Sequence, residues 1–197
     1  VLDIDTTLAD NTHRKYLLKE YCARCGALAN IATINSDYKV CANCGCDVFN
    51  IPKSSYVDYA EPRLLALDTP VPNTQWIVKC LSNRADVCYI TARAKDAYDV
   101  TEQWLIDNYD FNPERNKLIT RSGNSYADRV GVRVQPAATH KRLAFQELMK
   151  QRKYDKKDFF IFIDDNYECL QMYAEYGLAL KAPECWNLMN VTNTVQY

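Results

Sequence analysis

Short apolar runs alternate along this chain with stretches whose apolar residues recur at helical spacing. Residues 86–91, 117–120 and 159–163 are runs of the length and β-branched or aromatic character of buried strands, and a last strand is expected at roughly 178–182. Between them lie periodic stretches that predict helices. One carries Trp76, Ile77, Cys80 and Leu81 after Pro70, Pro72 and Asn73; a second spans 97–108 with Trp104, Leu105 and Ile106. Two more cover 139–152 and 166–176, the last stopping at Gly177, a natural residue for a left-handed helix end. A shorter helix is expected over 11–21. Strands alternating with helices predict an α/β fold: a parallel sheet with right-handed crossovers, with functional groups at the carboxyl ends of its strands.

That rule singles out the first ten residues. The apolar run at the start ends in Asp3 and Asp5, spaced so that both carboxylates share one face of an extended segment. Two close carboxylates repel unless a cation or a shared proton relieves them. Such a pair suits a reaction in which one carboxylate attacks and the other, protonated, serves the leaving group. Thr91 and the pair Asp164-Asp165 also end predicted strands, so all should meet at one edge of the sheet. The basic run Lys150, Arg152, Lys153, Lys156 and Lys157 precedes a strand and belongs at the opposite edge, as a solvated connection. Residues 121–138 are polar and irregular.

The chain has 197 residues, enough for one ordinary domain and a small insert. Its net charge of −1 argues against holding nucleic acid through bulk charge. No apolar run reaches membrane-spanning length and no signal-peptide pattern is present, so cytoplasm is the expected compartment. A buried strand of ordinary length predicts a few residues ahead of Val1.

Nine cysteines change the picture further. Cys22-x2-Cys25 and Cys41-x2-Cys44 are separated by 15 residues, the spacing of a tetrahedral four-cysteine zinc site with no open position for catalysis. Gly26 and Gly45 follow the two pairs, where a tight metal-binding turn needs positive φ. Cys46 is an alternative to Cys44. A ribbon this small buries little core, so the metal supplies its folding energy. Residues 11–57 are therefore expected to form a zinc-ribbon insert, with 1–10 and 58–197 as the core. The insert carries six Lys or Arg against three Asp or Glu, and a zinc with four thiolates reduces that +3 to about +1. Its tyrosines Tyr16, Tyr21, Tyr38 and Tyr56 suit base stacking or packing of a thin core equally. His13 is expected to bond locally.

The order Asp3-x-Asp5-x-Thr7, Thr91 after a strand, Lys141, then Asp164-Asp165 after a strand resembles the four motifs of the haloacid dehalogenase (HAD) phosphatase superfamily. Tyr89-Ile90-Thr91-Ala92-Arg93, Ile163-Asp164-Asp165 and Glu184-Cys185-Trp186 look like the 3′-phosphatase domains of bacteriophage polynucleotide kinase-phosphatases. The resemblance spans nearly the whole chain outside the insert. It implies a Rossmann-like three-layer parallel sheet with the zinc ribbon in the family's cap position. It also implies a phosphomonoesterase in which Asp3 forms an aspartyl-phosphate and Asp5 is the acid and base. Mg²⁺ would be bound by Asp3, the Asp5 carbonyl and Asp164 with Asp165 beside it, and phosphoryl oxygens by Thr91 and Lys141. Arg14, Arg93 and Arg121 would hold the rest of an anionic substrate, either a 3′-phosphorylated nucleic-acid end or a free nucleotide. Thr6 departs from the family, which has Gly there, and 121–140 is longer. A third reading is a zinc-ribbon binding module on an idle core. Retention of both aspartates speaks against it. No G-x-x-x-x-G-K-[ST] loop is present, so any 5′-kinase would be a separate protein.

Overall fold

Two pairs of parallel strands frame the opening segment of the chain. In the computed structural model, which describes residues 1–28, 34–35, 38–39, 43–44, 46, 49–50, 55–121, 136–155 and 157–186, strand β7 (Cys88–Ile90) pairs with β8 (Lys117–Ile119). Strand β9 (Ile161–Asp164) pairs in the same sense with β10 (Leu178–Lys181). Residues 1–3 lie between β7 and β9 and are bonded to both. Leu2 N–H donates to the Cys88 carbonyl at 2.9 Å, and Asp3 N–H to the Ile163 carbonyl at 3.0 Å. Leu2 bridges both Tyr89 and Ile163, each time parallel. The expected α/β class is thus met, with parallel strands and intervening helices.

The helices follow the sequence pattern with shifted ends. They are α4 (Thr74–Ser82), α5 (Tyr98–Tyr109), α6 (Ala137–Arg152) and α7 (Tyr167–Tyr173). The expected helix over 11–21 shrinks to α1 (Thr12–Lys15), a single turn with no side-chain cap at Asn11. Two short helices, α2 (Ser55–Tyr59) and α3 (Pro62–Leu65), lead back into the core. Gly177 lies beyond the end of α7, whose C-cap is Ala174. Its need for glycine is one of space, because a Cβ would meet the Phe160 carbonyl oxygen at 2.4 Å.

Two apolar clusters flank the strands. One gathers Leu2, Ile4, Leu8, Tyr89, Trp104, Leu105 and Trp186 against α4 and α5. The other gathers Ile90, Phe145, Leu148, Phe162, Cys169 and Tyr173 against α6 and α7. Phe145 is its centre, meeting Phe160, Phe162, Tyr173 and Tyr176 edge-on at centroid distances of 4.9–6.4 Å. This packing seats α6 against β7 and β9.

In the insert, β2 (Tyr21–Cys22) pairs antiparallel with β5 (Phe49–Asn50), so the chain leaves and returns at one place. Between them β3 (Ile34–Asn35) pairs antiparallel with β4 (Tyr38–Lys39). No helix among the described residues is long and apolar enough to cross a membrane.

Candidate active site

The turn after residue 5 carries the local geometry. Leu8 and Ala9 N–H both donate to the Ile4 carbonyl, at 2.8 and 2.9 Å, and Thr6 N–H to the Ala9 carbonyl at 2.9 Å. Thr6 adopts φ 64°, the left-handed region that a β-branched residue rarely enters. The turn therefore keeps a glycine-like shape without a glycine. Three distant elements pin it. Trp186 Nε1 donates to the Thr7 carbonyl at 2.9 Å, and Tyr109 Oη to the Leu8 carbonyl at 2.7 Å. Short strand β1 (Ala9–Asp10) pairs antiparallel with β6 (Thr69–Pro70).

Asp3, Lys141 and Asp164 come together from three separate parts of the chain. Lys141 Nζ lies 2.8 Å from Asp3 Oδ1 and 2.6 Å from Asp164 Oδ2, with all three side chains buried. The lysine is on the inner face of α6, and burial there would lower its pKa. The two carboxylates override that and hold it well above the ordinary lysine value. Carboxylate oxygens of Asp3, Asp164 and Asp165 lie within 4.8 Å of one another. Burial pushes the Asp3 carboxyl well above the usual range, with Lys141 opposing. Asp165 is raised too, by burial and then by Asp164. Three carboxylates facing one ammonium leave two negative charges if all ionise, so this donor set fits a hard divalent cation. Asp164 Oδ1 also accepts the Asn166 N–H at 3.0 Å, and Asn166 caps α7 through Cys169 N–H at 3.0 Å. The chain leaving β9 is fixed by those two bonds.

Asp5 has different neighbours. Arg93 reaches it through Nε and Nη2 at 3.1 and 2.9 Å, and Arg14 through Nη2 at 2.6 Å. Both guanidiniums also grip Asp68, Arg14 at 2.7 and 2.8 Å and Arg93 at 2.6 Å. Two carboxylates and two guanidiniums thus form a neutral ring. Burial alone would raise the Asp5 carboxyl, but Arg93 and then Arg14 hold it well below the usual carboxylate range. Asp5 keeps 27% of its side chain exposed, whereas Arg14 and Arg93 keep 1% and 2%. Arg14 further donates to the Tyr59 carbonyl at 3.0 Å and lies 4.1 Å over the Tyr59 ring. Arg93 also donates to Thr101 Oγ1 at 3.2 Å. Of the three arginines expected to meet substrate, Arg14 and Arg93 are thus turned inward, onto carboxylates of their own chain.

Thr91 follows β7 and is fully buried, its Oγ1 accepting the Arg93 N–H at 3.2 Å and its carbonyl lying 3.2 Å from His140 Nε2. Arg121 is tied in by its own N–H to the Arg93 carbonyl at 2.9 Å. Asp68 escaped the sequence reading. It follows an apolar stretch in the connection after α3 and belongs to no motif. Complete burial of its side chain and a 2.6 Å bond from Trp104 Nε1 to its carbonyl make it part of the site's frame. The basic run opposite is exposed at Lys150, Arg152, Lys153 and Lys157, as expected; Lys156 lies outside the described residues.

In the insert, sulfur atoms of Cys22, Cys25 and Cys44 lie within 4.8 Å of one another and could hold a metal; Cys22 and Cys44 are 3.5 Å apart. The Cys25 and Arg24 N–H groups stabilise the Cys22 thiolate and bring its pKa down to about 6. Gly26 has φ 72°, the positive value expected after the first pair. Cys46 is buried in the same small cluster. Cys41 and Gly45 lie outside the described residues.

Comparison with protein-family models and with curated proteins finds no match to this chain.

Proposed function

We propose that this protein is a Mg²⁺-dependent phosphomonoesterase of the haloacid dehalogenase kind, acting through an aspartyl-phosphate on the 3′-phosphate end of a nucleic acid. The observation that carries the reading is the meeting of Asp3, Lys141, Asp164 and Asp165 beside Asp5. Three segments distant in sequence deliver the residues that this chemistry requires. The parallel pairs β7–β8 and β9–β10, joined through residues 1–3, support a three-layer Rossmann-like sheet as the framework.

In this reading an Asp3 oxygen attacks phosphorus and the bond to the leaving oxygen breaks. Asp5, which must first take up a proton against the pull of Arg93 and Arg14, gives it to that oxygen and then takes one from the water that releases phosphate from Asp3. Arg14 and Arg93 aim the Asp5 carboxylate. Lys141 and the Thr91 hydroxyl neutralise and orient phosphoryl oxygens. Mg²⁺, held by Asp3, Asp164, Asp165 and the Asp5 carbonyl, would supply charge neutralisation at the transferring phosphoryl group. Zinc on Cys22, Cys25, Cys44 and Cys41 would give the insert its folding energy.

One observation favours the free-nucleotide alternative. With Arg14 and Arg93 committed to Asp5 and Asp68, neither offers a guanidinium to a second backbone phosphate. A substrate panel decides between the two. The nucleic-acid reading expects kcat/KM for a 3′-phosphorylated oligonucleotide to exceed that for a 3′-mononucleotide. Equal or better turnover of the mononucleotide replaces it with a nucleotidase, and no release from any ester in Mg²⁺ removes the phosphatase.

A further inference from the structure

His140 is buried near the start of α6 and reaches out of the helix to the segment after β7. Its Nε2 lies 3.2 Å from the Thr91 carbonyl oxygen. A carbonyl can only accept, so this nitrogen carries the hydrogen and donates. Lys141, the next residue, meets Asp3 and Asp164 instead, at 2.8 and 2.6 Å. Successive side chains of a helix are turned about 100° from one another, which is how neighbours on α6 serve two places at once. One turn of helix thus holds Thr91 and the acidic centre in a fixed relation. His140 itself belongs to none of the motifs that contain Thr91 and Lys141.

The bond matters because of what Thr91 is asked to do. Its N–H donates to the Ile119 carbonyl at 3.0 Å, and its Oγ1 accepts the Arg93 N–H at 3.2 Å. A hydroxyl has one hydrogen to give. With the Arg93 N–H entering on the acceptor side of the oxygen, that hydrogen is what Thr91 would bring to a phosphoryl oxygen. Its aim depends on the backbone that carries it. The Thr91 carbonyl belongs to the planar peptide joining Thr91 to Ala92. Fixing its oxygen from α6 therefore fixes the orientation of that peptide, and with it the turn that brings Arg93 back to the Thr91 hydroxyl.

We propose that His140 is a positioning residue for phosphoryl binding: by tying the Thr91–Ala92 peptide to α6, it holds the Thr91 hydroxyl in register with the Lys141 ammonium. The proposal rests on the phosphatase reading for the roles of Thr91 and Lys141. It adds a residue outside the four motifs that acts on the reaction through Thr91, without touching substrate. Loss of the imidazole then costs what misaiming one hydrogen-bond donor costs.

The test compares His140→Leu and His140→Gln with the parent enzyme, each alone and combined with Thr91→Val. Leucine fills much of the space of the imidazole without a donor, whereas the glutamine amide can place an N–H close to where Nε2 stands. On the phosphate ester that the parent turns over best, His140→Leu is expected to lower kcat/KM about tenfold, the size of one hydrogen bond. Binding of inorganic phosphate should weaken by the same factor, and His140→Gln should recover most of both losses. In the Thr91→Val background, His140→Leu should cost less than about twofold more. A loss that persists undiminished there means that the histidine acts through Lys141 or through stability alone, and it overturns the proposal. So does a leucine variant within about twofold of the parent, or a glutamine variant as damaged as the leucine. His140→Asn, whose amide is too short to reach the carbonyl, replaces the leucine variant if circular dichroism shows that protein unfolded. Calorimetric titration of inorganic phosphate in Mg²⁺ gives a readout that does not depend on turnover. A protein that binds phosphate in this pattern but releases it from no ester loses the phosphatase reading and keeps the role of His140; one that turns over esters and ignores the histidine loses that role alone.

Discussion

At the scale of single residues, Asp3 and Asp5 are two positions apart yet chemically opposite. Burial raises the carboxyl of Asp3 and two guanidiniums depress that of Asp5. The proposed roles need the reverse: Mg²⁺ beside Asp3 would keep it ionised for attack, and Asp5 has to take up its proton against the pull of Arg93 and Arg14. Asp3→Asn is expected to lower phosphate release by more than about a hundredfold, roughly 2.7 kcal/mol of barrier. Circular dichroism should remain native, and a loss under about tenfold would rule out attack by Asp3. Thr6 gives a second expectation. Holding a threonine at φ 64° costs about 1–2 kcal/mol, partly offset in Thr6→Gly by the greater freedom of the unfolded glycine. Urea unfolding should show Thr6→Gly more stable by roughly 0.5–1 kcal/mol; a variant less stable than the parent means the hydroxyl matters more than the backbone. Asp3, Asp5, Lys141, Asp164 and Asp165 were legible because each falls at a strand end or a fixed place in a motif. Asp68 was not. Its role depends on Arg14 and Arg93 arriving from either side in space, and no local pattern encodes that.

Among the elements, legibility followed packing. Helices α4, α5 and α6 and strands β7 to β10 lie within a few residues of the positions their apolar spacing predicts, because each has a face to bury. The expected helix after residue 10 ends at Lys15 for the same reason: its side chains are fixed individually by Asp5, Asp68 and Leu64, not by an apolar stripe. The insert follows different rules, since its described apolar cluster is confined to Cys22, Cys46, Ala27 and Cys44. With zinc bound as proposed, its removal should unfold the insert locally and leave the core standing. Cobalt-substituted protein is expected to show thiolate-to-metal absorption that a chelator abolishes, while thermal unfolding of the core shifts little. Protein purified without chelator and holding less than about one zinc per chain would contradict the metal-held ribbon.

For the molecule as a whole, the ring of Asp5, Arg14, Asp68 and Arg93 fastens the acidic turn, α1, the connection after α3 and the segment after β7 to one another. Breaking a buried ion pair from one side typically costs about 3–5 kcal/mol, because the abandoned charge stays buried. Asp68→Asn and Arg93→Met should each approach that loss in urea unfolding. The double variant keeps the ring neutral and should lose less than the sum by at least about 1 kcal/mol. Simple additivity would show that the four charges do not act together. The placement of residues 1–3 between β7 and β9 has a consequence in time. Residues 1–3 are made before their partners and must wait for residues 88, 141 and 164 before Asp3 has a neighbour on either side. At about 5–20 residues per second, synthesis leaves the acidic pair unassembled for roughly ten to thirty seconds. The segment at the centre of the fold thus precedes its partners in the chain and is completed only once the last of them has been made.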